Sequence, residues 1–475
     1  MLRRHSALIV ILAIAVAVRV AYIPAHQTLL DATVTSGELA RNIVDHGRWF
    51  ETNNHAIALV KELREREHRF INPAEVNFTA VDAKPQWQPY IVAPVGPSVV
   101  LAGVWKLTGS ERYIYGEIAQ IVVDSLMVLF VYRIALLLFK RRRASLVAAA
   151  LYAIYPPIAQ QTSIVGPDIW SVDFTIAIVA VYLEAMHSSH RLRLLVLCGV
   201  IVGVSAYFRP NLLIIPSALA LASARRGSWR PHVRNAAIAT GIAALLLVPW
   251  TIRNYDVFHR FIPTRTGLGV TLWVGLSEVH NSYGIVGNEE QIYAEVHRVR
   301  PDLVYSSPAY DAYLRTKALH VIEEHPLYYA KLVARRILLS TVGEYESGWM
   351  RSGGESPFRY RALTGHGLFS YLINRPFDVL QDALQPVVFL LGMLALALTW
   401  PRRRREHVIL IAVVLTTLVP YWIIHSETRY VLPASLAYII WMALGADLLA
   451  DRVVDRLRMR AVRGVSRAES VAHSI

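Results

Sequence analysis

The chain has 475 residues, 54% of them hydrophobic, and a mean hydropathy of +0.37, too apolar for a soluble protein of this length. Its net charge of +14 comes from 49 Lys+Arg against 35 Asp+Glu. The basic residues stand in short clusters beside apolar runs, which is the orientation signal of membrane proteins rather than a nucleic-acid surface. The one cysteine, Cys198, excludes an intrachain disulfide and a thiolate metal site, and the alternation of β-barrel strands is absent.

In chain order, MLRRHSALIVILAIAVAV at the N-terminus has the look of a signal peptide. It lacks a small-residue cleavage pattern and many spans follow, so it reads as a retained first helix. Apolar spans are expected near 6–23, 113–139, 144–163, 170–186, 194–208, 211–224, 235–252, 379–400, 407–424 and 430–450. The stretch VAPVGPSVVLAGVWKLTG, 92–109, could cross or lie along the surface. Charge decides between these. If it crosses, KRRR 140–143 and every later basic cluster falls outside, against the positive-inside tendency. If it is interfacial, Arg3 and Arg4, KRRR 140–143, HRLR 190–193, RRGSWRPHVR 225–234, RRRR 402–405 and the tail from Arg452 all fall inside. Pro94, Gly96 and Pro97 also suit a broken or surface helix. The expectation is an all-α polytopic membrane protein with about ten crossings and both termini cytoplasmic.

Two large segments then face outward. In 24–112, HAIALVKELREREHRF (55–70) reads as an amphipathic surface helix. In 253–378, DAYLRTKALHVIEEHPLYYAKLVARRILL reads as two helices separated at His325-Pro326. The chain divides into a membrane module over 1–252, which includes the 24–112 loop, an outer region over 253–378, C-terminal spans over 379–450, and a basic cytoplasmic tail over 451–475. It shows no long-period repeat and no low-complexity tract.

Some polar residues stand against these rules. Arg209 and Arg429 are cations at the outer side, where the bias disfavours them. They call for a local partner: a lipid phosphate, which guanidinium matches bidentately, or an ion pair with Asp168 or Glu427. Asp31, Asp168 and Glu427 bring three carboxylates to one face from distant parts of the sequence, and one of them could serve as a general base. Glu117 and Asp124, seven apart on one helix face, read as interior hydrogen-bonding groups. Arg19, near the outer end of the first span, reads as a snorkelling anchor. There is no Walker A loop, HExxH, paired-Cys motif or Asp-x-Asp pair. Chemistry on the outer face would need an activated donor delivered within the membrane.

Five stretches in sequence carry a family resemblance. They are PVGPSVVLAGVWKLTGSERY (94–113), YPPIAQQTSIVGPD (155–168), GVSAYFRPN (203–211), VPWTIRNYDVFHRFIPTRTGLGVTLWVG (248–275) and HSETRYVLPA (425–434). The chain resembles the membrane-embedded GT-C glycosyltransferases, in particular bacterial relatives of the protein O-mannosyltransferases and of the lipid A aminoarabinose transferase. The most specific likeness is Pro-Trp-x-x-Arg-Asn-Tyr with the Thr/Gly-rich strip after it.

The resemblance implies seven conserved first spans and a sugar transfer from a polyprenyl-phosphate donor to a hydroxyl acceptor, with inversion. It implies Asp31 as the general base, with Ala40, Asn42 and Gly47 fitting the helix that follows. The Asp-to-Ala spacing is one residue longer than the family pattern, and an aromatic is missing near Thr35 and Ser36. It implies donor-phosphate contacts from Arg253, with Lys84 and Arg429 as further cations, and a cavity shared by Asp168, Glu427, His425 and Arg209. No cofactor is expected. Asp31 and Asp168 alone are a thin ligand set for a divalent ion, though one is not excluded. The partners expected are the lipid-linked donor, a lipid, glycan or protein acceptor, and the membrane, with no nucleic acid. The location implied is the bacterial inner membrane with the site facing outward. A lipid-linked-glycan transporter or flippase would use the same charged cavity, but it predicts an internal repeat that the sequence lacks. A structural subunit leaves the acids and arginines unexplained. Sugar and acceptor are left open.

Overall fold

In lipid every backbone N–H and C=O must bond within its own segment, so apolar runs of this length become helices. The computed structural model describes residues 2–23, 31–52, 87–224, 229–279, 281–287, 289–305, 307–342 and 376–472. The expected surface helix at 55–70 and Lys84 lie outside the described residues.

Helix α1 (Leu2–Tyr22) is followed by α2 (Asp31–His46), a short antiparallel pair β1 (Phe50–Thr52) and β2 (Trp87–Pro89), and α3 (Gly96–Thr108). The bundle continues through α4 (Tyr113–Phe139), α5 (Arg142–Ile154), α6 (Pro156–Gln161), α7 (Pro167–His187), α8 (Arg191–Ser205), α9 (Ile215–Ser223) and α10 (Trp229–Phe258). Then come α11 (Leu268–Leu276), α12 (Glu289–Val299), α13 (Pro308–Glu324) and α14 (Pro326–Val342). The last helices are α15 (Pro376–Thr399), α16 (Arg404–Ile423), α17 (Thr428–Val431) and α18 (Ser435–Ala472).

The chain is an integral membrane protein. Among the described residues six helices are long and apolar enough to cross a bilayer: Tyr113–Phe139, Pro167–His187, Trp229–Phe258, Leu384–Arg402, Arg404–Ile423 and Arg429–Arg456. Ser6–Tyr22 and Pro210–Ser223 are shorter apolar helices. The span expected at 144–163 is two helices of 13 and 6 residues. The break falls at Tyr155 because the following Pro156 disfavours helical backbone in its predecessor, which is extended (φ −71°, ψ 109°). The span expected at 194–208 is the 15-residue α8. Helix α3 has 13 residues, so it is about 20 Å long against a hydrocarbon core of about 30 Å. It packs against α2. The β1–β2 ribbon was not expected from the sequence.

Most spans share one apolar core, to which α4, α7, α8, α10, α15, α16 and α18 contribute. Arg19 corrects an expectation: it does not snorkel. It is fully buried and pairs with Asp124, while Nη1 donates to the carbonyls of Ala15 (3.1 Å) and Ala153 (2.9 Å). The Tyr152 hydroxyl donates to the other Asp124 oxygen. A guanidinium with no path to water must find a counter-charge inside the bundle.

Residues 268–332 build a second, smaller apolar core from Leu272, Trp273, Leu276, Ile292, Tyr310, Leu314 and Leu332. It sits at the end of the bundle where α10 finishes and α16 ends, called here the loop end. The Asp311 carboxylate accepts from the N–H groups of Gly269 (2.7 Å) and Val270 (3.2 Å), capping α11. As the sequence implies, Pro326 separates α13 from α14.

Candidate active site

The PWTIRN stretch closes α10 and works as a latch. Trp250 Nε1 donates to the Thr264 carbonyl at 2.6 Å, and Asn254 Nδ2 to the Ile262 carbonyl at 2.8 Å, which folds the chain back beside the helix. Arg253 reaches across to the ribbon. Its Nη1 donates to the Tyr90 carbonyl (3.0 Å) and to Asn254 Oδ1 (2.9 Å), and its Nη2 to the Trp49 carbonyl (3.1 Å). Its guanidinium also lies 4.8 Å from the Trp250 ring. On the ribbon side, α2 ends at Gly47, whose φ of +63° is the left-handed turn that favours glycine. Asn42 Nδ2 then holds the Phe50 carbonyl at 2.8 Å.

The returning strap, 264–267, is pinned from both sides. Thr266 N–H donates to the Ile91 carbonyl (3.1 Å) and Arg265 Nη1 to the Val92 carbonyl (3.1 Å). The strap forms one wall of a cavity of about 260 Å³. Arg209, Asn211, Arg265, Thr266, His425 and Tyr430 supply much of its polar lining, and Pro210, Leu268, Pro420 and Ile424 its apolar side. The Thr266 hydroxyl oxygen is buried with no hydrogen-bond partner.

Behind this cavity runs a ladder of alternating charge. Asp168 stands in the first turn of α7, where the helix dipole favours an anion. It pairs with Arg209, and its other oxygen lies 3.8 Å from Arg429 Nε. Arg429 Nε lies 2.6 Å from Glu427. Glu427 faces His425 Nε2 at 3.0 Å, and His425 Nδ1 faces Glu278 at 2.6 Å. Glu278 pairs with Arg336 at 3.0 Å. Seven ionisable side chains from five separated segments thus alternate in sign. Arg209 also lies 4.5 Å from the Tyr430 ring, which stacks on Tyr421.

Arg336, fully buried on α14, fixes the far end of this ladder. Besides Glu278 it donates to the carbonyls of Gly275 (2.6 Å), Trp422 (3.1 Å) and Ile423 (2.9 Å). Gly275 permits the approach, since a Cβ there would meet the Ile424 carbonyl oxygen at 2.1 Å.

The electrostatics follow from these contacts. Burial alone would pull the His425 pKa down, but the hydrogen bonds and charges of Glu278 and Glu427 outweigh it and hold it at about 9. Burial would raise Glu427, but the Arg429 charge, then His425 and Arg209, bring it to about 2. Burial opposes the Arg209 cation, and the Asp168 charge more than restores it. Arg265 is different. Burial, and then the Arg209 charge, lower its pKa, and it has no carboxylate partner among the described residues. Its hydrogen bond is to the neutral Val92 carbonyl, so among the described residues no carboxylate meets it at the cavity wall.

The structure therefore brings Asp168, Arg209, His425, Glu427 and Arg429 together. It sets Arg253 on backbone carbonyls, and Arg253 is not among the residues lining the cavity. Asp31 opens α2, and its side chain lies outside the described residues, as does Lys84. Sequence reading missed Arg265, Glu278 and Arg336. Arg265 carried a usable signal: a lone cation in the Thr/Gly-rich strip after PWTIRN. Glu278 and Arg336 carried none, because their meaning lies in partners far along the chain. Among the described residues no group of three or more His, Cys, Asp or Glu is arranged to hold a metal ion.

Residues 92–252 match the family model described as dolichyl-phosphate-mannose-protein mannosyltransferase. The undecaprenyl phosphate-alpha-4-amino-4-deoxy-L-arabinose arabinosyl transferase of Pseudomonas paraeruginosa is 30% identical over 171 residues, covering 32% of this chain and 30% of that protein. The protein of the same description from Pseudomonas aeruginosa matches to the same extent. The match thus spans 30% of the length of these curated relatives. The archaeal oligosaccharyltransferase of Archaeoglobus fulgidus, solved with an inhibitory peptide and a dolichol-phosphate, aligns with a TM-score of 0.54 at 14% identity. That alignment covers 97% of this chain and 52% of that one, a likeness of fold. These matches bear out the resemblance to the GT-C glycosyltransferases. Asp168 and Arg209 fall inside the family-matched segment, whereas Arg265, Glu278, Arg336 and His425 fall beyond it.

Proposed function

We propose that this chain, a relative of the GT-C glycosyltransferases, moves a sugar from a polyprenyl-phosphate donor to a hydroxyl acceptor at its loop end, which faces away from the cytoplasm across a bacterial inner membrane. In the reaction the acceptor oxygen attacks the anomeric carbon and inverts it. The bond from that carbon to the phosphate oxygen breaks, and its electron pair leaves on the polyprenyl phosphate. The acceptor proton passes to a carboxylate base. By resemblance that base is Asp31, and its position at the start of α2 is compatible with the role.

The observation that carries this reading is Arg265, which has no carboxylate partner among the described residues, at a cavity wall beside Arg209 and the Thr266 hydroxyl. A half-buried guanidinium at a cavity wall fits an anionic ligand, and a phosphate gaining charge as it leaves would be stabilised there. Within this reading Arg265 and Arg209 are donor-phosphate contacts. Arg429 acts from behind, through Glu427 and Asp168. Arg253 serves the same site by holding the ends of the ribbon at Trp49 and Tyr90.

The test uses membranes carrying the wild type or Asp31→Asn, supplied with radiolabelled polyprenyl-phosphate sugars. Sugar transfer to a membrane acceptor by the wild type and its loss in the variant is the expected result. Full transfer by the variant would remove Asp31 as the base. No transfer from any donor would overturn the reading.

A further inference from the structure

Helix α4 carries a face inside the bundle that serves the connection between α5 and α7. Gly116, Gln120 and Asp124 are spaced four apart, so they lie one above the other along one side of the helix. Gln120 and Asp124 are buried. Pro156 and Pro157 have no N–H, so the carbonyls of Tyr152 and Ala153 lose the donors that a continuing helix would give them. The Tyr155 N–H donates to the Tyr152 carbonyl at 3.3 Å. Arg19, paired with Asp124, donates to that of Ala153 at 2.9 Å. The near end of the connection is thus tied to α4 through Asp124.

The far end depends on Gln120. Residues 162–166 are buried and belong to no helix or strand, so their backbone polar groups need partners from outside a regular ladder. The N–H groups of Thr162, Ser163 and Ile164 reach back to the carbonyls of Ala159, Gln160 and Gln161, each at 3.2 Å. The carbonyls of Thr162 and Ile164 accept from Gln120 Nε2, both at 3.0 Å. One side-chain amide spends both its N–H donors on this turn. One helical turn earlier, Gly116 makes room for Val165, since a Cβ there would come within 3.3 Å of Val165 Cγ2. Gly166 and Pro167 follow, and then Asp168 in the first turn of α7.

Asp168 stands four residues beyond Ile164 and pairs with Arg209, a cation that lines the cavity. Resting on the donor-site reading above, we infer that Gln120 is a positioning residue for the donor phosphate. By holding the turn 162–166 it sets where Asp168 stands, and Asp168 sets where the Arg209 guanidinium stands at the cavity wall. Gln120 itself is buried in the bundle and is not among the lining residues. Guanidinium recognises phosphate through a directed fork of donors, so its orientation decides the contact. A displaced Asp168 is therefore read out as lost affinity for the phosphate.

The experiment uses the full chain in lipid nanodiscs and measures binding of radiolabelled undecaprenyl phosphate, in protein that elutes as the wild type does. Gln120→Met keeps a side chain of similar size and removes both donors. It should lower affinity by about tenfold in the wild-type background. In an Arg209→Gln background it should change affinity no further, because no guanidinium is left there to misplace. Gln120→Asn keeps the amide on a shorter stem and should fall between the two, and it carries the same comparison if the Met variant does not fold. Wild-type affinity in folded Gln120→Met would overturn the inference and leave the donor site standing. So would an equal fall in both backgrounds, which a purely structural role would give. Failure of undecaprenyl phosphate to bind the wild type would overturn the donor site and the inference together.

Discussion

Arg209 and Asp168, 41 residues apart in sequence, form a buried ion pair at the rim of the cavity, with the guanidinium 4.5 Å from the Tyr430 ring. Neither the GVSAYFRPN nor the SIVGPD stretch requires the other. Their union fixes α7 against the turn before α9 and gives Arg209 a carboxylate partner, whereas the hydrogen bond of Arg265 goes to the Val92 carbonyl.

Breaking that pair on one side should be expensive. Asp168→Asn leaves Arg209 buried without its main counter-charge and weakens the hold on Arg429. Removing one partner of a buried pair costs about 3–5 kcal/mol. Thermal unfolding in detergent should show a drop of that order, and Asp168→Asn with Arg209→Met should recover part of it. Equal and additive losses would show that the two residues do not interact.

Arg265 and Arg253 should separate binding from stability. Arg265→Gln removes a half-buried charge that has no carboxylate partner among the described residues, so the melting temperature should hold or rise, while affinity for undecaprenyl phosphate falls by about tenfold or more. Arg253→Gln withdraws donors from the Tyr90 and Trp49 carbonyls. Each unsatisfied buried carbonyl costs about 1–3 kcal/mol, so the melting temperature should drop. The pair of measurements is a binding isotherm and a melt on each variant.

The His425–Glu427 contact gives a signed dependence on pH. His425 is raised from its ordinary 6.5 to about 9, so its contribution to stability is complete below 6.5 and is lost as pH rises through 9. Glu427 is lowered from 4.5 to about 2, so its contribution is complete above 4.5 and is lost as pH falls toward 2. Melting temperature against pH should therefore be highest between about 4.5 and 6.5, as far as these two groups decide it. His425→Gln should flatten the alkaline limb. An unchanged alkaline limb in that variant would contradict the assignment.

Gly275 tests the close packing of the loop-end core on the bundle. A methyl group there would meet the Ile424 carbonyl at 2.1 Å and Arg336 Nη2 at 2.9 Å. The first contact is backbone and cannot swing away. Gly275→Ala should destabilise by about 1–3 kcal/mol, the usual cost of overpacking. Hydrogen exchange should rise first in α11 and at the end of α16.

Much of the architecture was legible because lipid imposes a simple rule: long apolar runs become helices. The runs around 113–139, 170–186, 235–252, 379–400, 407–424 and 430–450 all appear as long apolar helices. Proline read locally as well, in the His325-Pro326 break and in the short helix that starts at Gly96 with Pro97 in its first turn. The motif stretches also identified most of the side chains that meet around Asp168, since an ion in an apolar neighbourhood announces itself one residue at a time.

What the sequence by itself determined, then, was where the helices run and which charges are out of place. Tertiary structure decided what each charge is for. Arg19 read as an anchor and is a buried partner of Asp124. Arg253 read as a phosphate contact and spends its donors on Tyr90 and Trp49. Arg265 passed unnoticed and stands at the cavity wall with its hydrogen bond on the Val92 carbonyl. The physical reason is that helix formation follows from hydrogen bonds and apolar area within a few turns of chain. Whether a buried charge is neutralised depends on groups within a few ångströms in space, and at this site those groups come from segments up to 261 residues apart, as Asp168 and Arg429 do.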